Sequence, residues 1–175
     1  LTLNQMKAHP LTILLLLLAH TGIAQKMPPI NRSINATEFI TIGGIKQCIN
    51  IKSADTTKPV LLFLHGGPGE SVMTIADTFT TKLQQEFVVV QWDQRGGGKT
   101  AEANPTAAPF TLATMYADTY DVTQYLLKRF KQKKLYLVGH SFGTTLGFYM
   151  ADKHPKLLYA YIAISANVNA MESEQ

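Results

Sequence analysis

From Pro59 onward, short runs that are apolar at nearly every position alternate with longer stretches in which apolar residues recur every three or four positions. The runs Val60–Leu64, Phe87–Trp92, Leu135–Val138 and Leu158–Ser165 predict strands buried on both faces, and the stretches Val72–Gln85, Leu112–Phe130 and Phe142–Lys153 predict helices. Strands with no polar face, alternating with helices, imply an α/β fold: a mostly parallel sheet with helices on both faces and right-handed crossovers. Ahead of this unit, Glu38–Ile42 and Ile45–Ile51 flank Gly43-Gly44 and predict a β-hairpin with a two-glycine turn. In such a sheet the loops that follow the strands share one edge, where ligands bind. His65, Asp93 and Ser141 all fall at that edge.

The amino-terminal stretch has a different pattern. Met6-Lys7, the apolar run Leu11–Ala19 and the small residues Gly22 and Ala24 match a secretory signal peptide cleaved after Ala24, with Met6 as the initiator. The run is short of the roughly 20 apolar residues that span a bilayer. Export to a periplasmic or extracellular space is expected, without stable membrane association after cleavage; the alternative is an uncleaved leader acting as an anchor. Residues 25–37, with two prolines and several polar residues, read as a linker into a domain occupying 38–175. The patterns Asn31-Arg32-Ser33 and Asn35-Ala36-Thr37 are read as accidental glycosylation matches.

Composition narrows the function classes. A chain of 175 residues with 46% hydrophobic and 16% charged residues can bury one sizeable core. The formal net charge of +4 is too mild to argue for nucleic acid. Cys48, the sole cysteine, sits in an apolar run and reads as a buried structural thiol, and the histidines show no metal-ligand spacing. No metal or cofactor is expected.

The candidate chemistry lies at two loops. Gly139-His140-Ser141-Phe142-Gly143 follows a buried strand and opens a helix, the context of a nucleophile elbow, which makes Ser141 the candidate nucleophile. Gly139 and Gly143 leave room in a turn too tight for side chains, and the helix-opening amides favour developing negative charge. The structural alternative is that Ser141 merely caps the helix. The second loop, His65-Gly66-Gly67-Pro68-Gly69, also follows a buried strand and can bring backbone N–H groups to a substrate oxygen. Gly98-Lys99-Thr100 has the ending of a P-loop, but Asp93 stands where that motif needs glycine. Gly67 and Gly69 fit the start of a dinucleotide fingerprint, but Val72 replaces its third glycine and Pro68 lacks a donor.

His65-Gly66-Gly67-Pro68-Gly69, then Trp92-Asp93-Gln94-Arg95-Gly96, then Gly139-His140-Ser141-Phe142-Gly143, in that order, resembles the α/β-hydrolase superfamily, and specifically its proline iminopeptidase-like serine peptidase branch. The likeness runs from about Glu38 to Ala166. It implies Ser141 as nucleophile and the backbone N–H groups of Gly67 and Phe142 as the oxyanion hole, with Gly139, Gly143, His65 and Gly66 supporting elbow and loop. Serine at the elbow argues against members that use an aspartate nucleophile.

The remaining polar residues have plainer readings. Asp93 is expected to bond turn amides, with Arg95 pairing to it. His65 is expected to orient its loop, and His140 to project away from Ser141 and pack. The cluster Lys128, Arg129, Lys131, Lys133 and Lys134 closes a helix as a solvated face, and Gly143 and Gly147 let the following helix approach the sheet.

A triad needs an acid and a histidine as well as the serine. After Ser141 the chain offers His154, with Asp152, Glu172 and Glu174 as acids. His154 lies along the helix that Ser141 opens, about 20 Å away at 1.5 Å per residue, and proton transfer needs about 3 Å. The triad acid and histidine are therefore not expected in this chain. The resemblance implies two more strands and a helical cap beyond Gln175, so the chain is expected to be the N-terminal part of a longer hydrolase, inactive alone and with an apolar edge exposed on its final strand. The expected function is serine hydrolysis of a peptide bond at a substrate amino terminus through an acyl-enzyme, on a small peptide or ester. The alternatives are a carboxylesterase-like acyl hydrolase and a non-catalytic α/β-hydrolase-like binding protein. Oligomeric state is not legible.

Overall fold

A computed structural model describes residues 32–106 and 110–166. The leader, most of the linker, Glu172 and Glu174 lie outside the described residues.

The chain opens with the hairpin β1 (Ile34–Ile42) and β2 (Ile45–Ser53). Gly43 and Gly44 both take left-handed backbone angles, φ +53° and +77°, which a two-residue hairpin turn requires. β1 starts at Ile34, inside the expected linker, because Ile34 to Thr37 pair with Ser53 to Asn50. Then come β3 (Val60–Leu64), β4 (Val88–Trp92), β5 (Leu135–His140) and β6 (Leu158–Ile164). The sheet order is β1-β2-β4-β3-β5-β6, with β2 antiparallel to β1 and β4 and the other neighbours parallel. The chain thus leaves β3 towards β4 on one side and returns to β5 on the other. That reversal beside β3 is where ligands bind in open α/β sheets.

Two long helices cover one face: α3 (Leu112–Arg129), capped by Thr111 Oγ1 accepting from Thr114 N at 3.2 Å, and α4 (Gly143–Lys153). Met115, Val122 and Leu126 of α3 and Leu146 and Met150 of α4 pack onto Leu62, Leu64, Val90, Trp92 and Leu137. Each such fully buried side chain contributes about 1.5–3 kcal/mol of transfer free energy. Tyr116 and Tyr149 stack between the helices at 4.1 Å, and a Cβ on Gly147 would lie 2.2 Å from the Tyr161 ring, so α4 approaches β6 closely.

The opposite face is thinner. Leu61, Val89 and Val138 are covered there by Phe63, Leu83, Phe87 and Tyr136. The expected helix Val72–Gln85 is reduced to α1 (Asp77–Thr80) and a 3-10 turn at Leu83–Gln85. Its threonines bond backwards to the main chain, Thr78 Oγ1 to Ile75 O (2.7 Å) and Thr80 Oγ1 to Ala76 O (2.7 Å), the competition that makes such residues poor helix interiors. Tyr159, Ile162 and Ile164 of β6 are about half exposed.

A helix absent from the expectations, α2 (Gly98–Ala103), follows β4. Asp93 makes it possible: its Oδ2 accepts from Lys99 N at 2.8 Å, and its carbonyl accepts from Thr100 Oγ1 at 2.5 Å. The residue that satisfies the helix's opening amide is thus several positions upstream of it.

Candidate active site

The parallel register sets Leu64 opposite Trp92 on one side and Gly139 on the other, so the loops after β3, β4 and β5 begin side by side. Ser141 follows β5 directly and has φ +50°, a left-handed angle uncommon for any residue other than glycine. The surroundings hold it there. Ser141 N–H donates to Ile164 O (3.0 Å), and Ser141 O accepts from Thr144 N (2.9 Å) and Thr144 Oγ1 (2.6 Å). A Cβ on Gly139 would lie 2.7 Å from Gly143 O, and one on Gly143 only 2.2 Å from Leu64 O and 2.7 Å from His65 O. Both positions are closed to any side chain. Thr144 and Thr145 N–H bond back to Ser141 and Phe142 carbonyls, which leaves the Phe142 amide ahead of the hydrogen-bonded turn.

The glycine loop lies against this elbow. A Cβ on Gly66 would stand 3.1 Å from Ser141 Cβ and 3.3 Å from His140 Nδ1. Gly67 has φ +108°, and a Cβ there would sit 2.6 Å from Gly69 N, so only glycine fits. His65 is buried with both ring nitrogens committed: Nε2 accepts from Gln94 N at 3.0 Å, so Nδ1 carries the proton and donates to Gly66 O at 2.8 Å. Burial holds its pKa below the usual histidine value. Gln94 Nε2 also donates to His65 O at 3.0 Å. Among the described residues Ser141 Oγ has no hydrogen-bond partner, and His154 caps the far end of α4 against Tyr120 and Tyr149.

Ser141, partly exposed at the parallel edge, is thus held in a tight strand-to-helix turn faced by a glycine loop. Residues 59–175 match the family of the alpha/beta hydrolase fold. This chain belongs to that family. It is 39% identical over 148 residues to a probable aminopeptidase, YbaC, of Bacillus subtilis, a match covering 85% of this chain and 46% of that protein. It is 28% identical over 125 residues to a proline iminopeptidase of Lactobacillus helveticus, covering 70% and 40%. A solved structure of a proline iminopeptidase-related protein from Thermus thermophilus superposes with a TM-score of 0.60 at 21% identity, covering 74% of this chain and 44% of that one, a likeness of fold. The chain spans less than half the length of each of these relatives.

Around the elbow, this α/β-hydrolase departs from the sequence expectations in three places. Arg95 pairs with Asp118 of α3, not with Asp93: Nε to Oδ2 is 2.8 Å, Nη2 to Oδ1 is 3.1 Å, and Nη2 also donates to Gly43 O at 3.0 Å. Asp93 spends its carboxylate on Lys99 N and the Ser71 hydroxyl, leaving no oxygen turned to the guanidinium. Asp118 also accepts from Gln47 Nε2 (2.8 Å), whose Oε1 accepts from Trp92 Nε1 (2.9 Å). Sequence reading missed Asp118, though a charged residue among Met115, Val122 and Leu126 on an apolar helical stripe is the signal of a buried partner.

His140 does not pack inside. It is exposed, and with Phe63, Leu64, His65, Phe79 and Ile164 it lines an apolar cavity of about 340 Å³. The basic cluster is only partly a solvated face: Arg129 pairs with Glu38 of β1 and donates to Tyr125 Oη (2.9 Å). Cys48 is fully buried, and burial followed by the nearby Asp93 charge pushes its thiol pKa up to about 11. Among the described residues no group of three or more His, Cys, Asp or Glu side chains could hold a metal ion, and no helix is long and apolar enough to cross a membrane.

Proposed function

We propose that this protein is the nucleophile-bearing part of an exported serine hydrolase that cleaves a peptide bond at a substrate's amino terminus. The observation that carries the reading is Ser141: a non-glycine residue at φ +50° at the carboxyl end of β5, its backbone bonded on both sides and its hydroxyl without a partner among the described residues. A left-handed backbone angle that turns a serine hydroxyl out at a strand end, beside a glycine loop, is what an exposed nucleophile requires. The peptidase reading draws its support from the aminopeptidase and proline iminopeptidase relatives.

In this scheme Ser141 Oγ attacks the substrate carbonyl carbon and its proton passes to a histidine base. The carbonyl oxygen takes up the negative charge and accepts from the Gly67 and Phe142 N–H groups. The C–N bond then breaks, the amine departs with the transferred proton, and water repeats the sequence on the acyl-enzyme to release the acid and restore Ser141. The base and its orienting acid are assigned to sequence that follows the described residues. The leader at 1–24 is assigned to export, and fractionation of the expressing cell checks it.

The test is labelling of the full-length protein with a fluorophosphonate probe. Labelling abolished by Ser141→Ala supports the hydrolase, and no labelling of folded protein favours a binding role. An acyl-ester hydrolase is the second reading, favoured by the apolar cavity that His65 and His140 help to line. Faster turnover of a prolyl chromogenic amide than of a short acyl ester supports the peptidase, and the reverse order supports the esterase.

A further inference from the structure

The loop after β4 holds the glycine loop at several points. Gln94, fully buried, gives its backbone N–H to His65 Nε2 and its side-chain amide to His65 O. His65 passes this hold to Gly66 O through Nδ1. The two loops also meet backbone to backbone: a Cβ on Gly69 would lie 3.2 Å from Gly96 O, and one on Gly97 would lie 3.2 Å from Gly69 Cα and from His65 Cε1. The conformation of Gly66 and Gly67 is therefore moulded on residues 94–97.

Residues 94–97 in turn are anchored by Arg95. Its guanidinium is buried, forked onto both Asp118 oxygens and bonded to the Gly43 carbonyl in the hairpin turn. Asp118 is itself fixed by Gln47, which Trp92 holds from the end of β4. A Cβ on Gly43 would lie 2.1 Å from Asp118 Oδ1, so hairpin, helix and loop interlock without slack.

We propose, resting on the serine-hydrolase reading, that Asp118 and Arg95 are positioning residues that set the place of the Gly67 amide through Gln94 and His65. They lie outside the candidate oxyanion hole and act on it through the loop. A planar fork is needed for this, because a point charge such as lysine can satisfy one carboxylate oxygen without fixing the loop's orientation.

The test uses full-length protein, 15N-labelled, as wild type, Asp118→Asn, Arg95→Lys and the control Arg129→Lys. Two quantities are read: the rate of fluorophosphonate labelling at Ser141, and the resonances of the Gly67 amide and the His65 ring nitrogens. The expected result is that Asp118→Asn and Arg95→Lys label about ten- to a hundredfold more slowly, as misplaced oxyanion donors should, and shift the Gly67 and His65 resonances. Arg129→Lys, which touches only Glu38 and its own helix, leaves both unchanged. If Asp118→Asn fails to fold, Arg95→Lys decides. Folded variants that label at the wild-type rate, or that leave the Gly67 amide unmoved, overturn the proposal while the hydrolase reading stands. If wild-type protein itself does not label, the hydrolase reading falls, and the resonances alone judge whether Asp118 and Arg95 position the loop.

Discussion

At the end of β5 the turn bearing Ser141 is shaped by backbone against backbone: the carbonyls of Leu64, His65 and Gly143 stand where side chains on Gly143 and Gly139 would be. At the end of β3 the His65–Gly69 loop is instead shaped by side chains, with the His65 imidazole and the Gln94 amide bridging it to the β4 loop. A turn enforced by packed main chain tolerates almost no change at its glycines but depends little on pH. A loop enforced by a histidine depends on that histidine's protonation and on whatever anchors its partner. The geometry of the candidate nucleophile is thus local, and the geometry of the candidate oxyanion donor at Gly67 is distributed over three elements.

The largest effect that bears on this contrast is expected from Ser141→Ala. It removes the proposed nucleophile, so fluorophosphonate labelling is expected to be lost and any turnover to fall by several powers of ten, while the fold is kept. Labelling that persists in this variant would take the elbow out of the chemistry.

Gly143→Ala probes the backbone half of the contrast. Two main-chain carbonyls would have to move, and a destabilisation of about 3 kcal/mol is expected in urea unfolding, the upper end for inserting a methyl group into packed structure. An alanine tolerated without cost would show the turn to be slack.

The side-chain half is tested by pH. Burial lowers the His65 pKa in the folded state, so between the unfolded value of 6.5 and the lower folded value the unfolded chain binds the extra proton. Stability contributed by neutral His65 is fully present above that window and declines as pH falls through it. A protonated Nε2 can no longer accept from Gln94 N–H, so in the folded protein the glycine loop should loosen only as pH falls to the lower, folded value and below it. His65→Asn is expected to flatten the acid limb of a stability-against-pH curve. An unchanged limb would assign it to another group.

The smallest effect is expected away from both loops. Ile162 is 48% exposed on β6, so Ile162→Thr should change stability by no more than about 0.5 kcal/mol and make aggregation slower, as seen by light scattering. A larger loss would mean that something covers this edge in solution.

The elbow was legible because its causes are adjacent in sequence: an apolar strand, two glycines flanking a serine, and a helix-compatible run. The centre of the sheet was legible for the same reason, since the almost wholly apolar runs of β3, β4 and β5 are buried along nearly their whole length, whereas β6, expected to be buried as well, lies at the edge and is mostly exposed. Segment 72–85 was misread because apolar spacing suggested a helix while its threonine hydroxyls competed for the backbone. The α2 helix was missed because Asp93 supports it from outside its own span. Arg95 drew attention, but its partner Asp118 lies 23 positions away, and nothing local distinguishes that pairing from the nearer Asp93.

What the sequence by itself determined is the family, the alternating strands and helices, and the place of Ser141 at a strand end, because local sterics and hydrophobic periodicity act over a few residues. Only the tertiary structure decided which tautomer His65 adopts, that Arg95 forks onto Asp118, and that His140 faces a cavity. Those outcomes depend on which buried donors and acceptors meet once the sheet is assembled, and desolvation leaves each of them needing a partner that no short stretch of sequence can name.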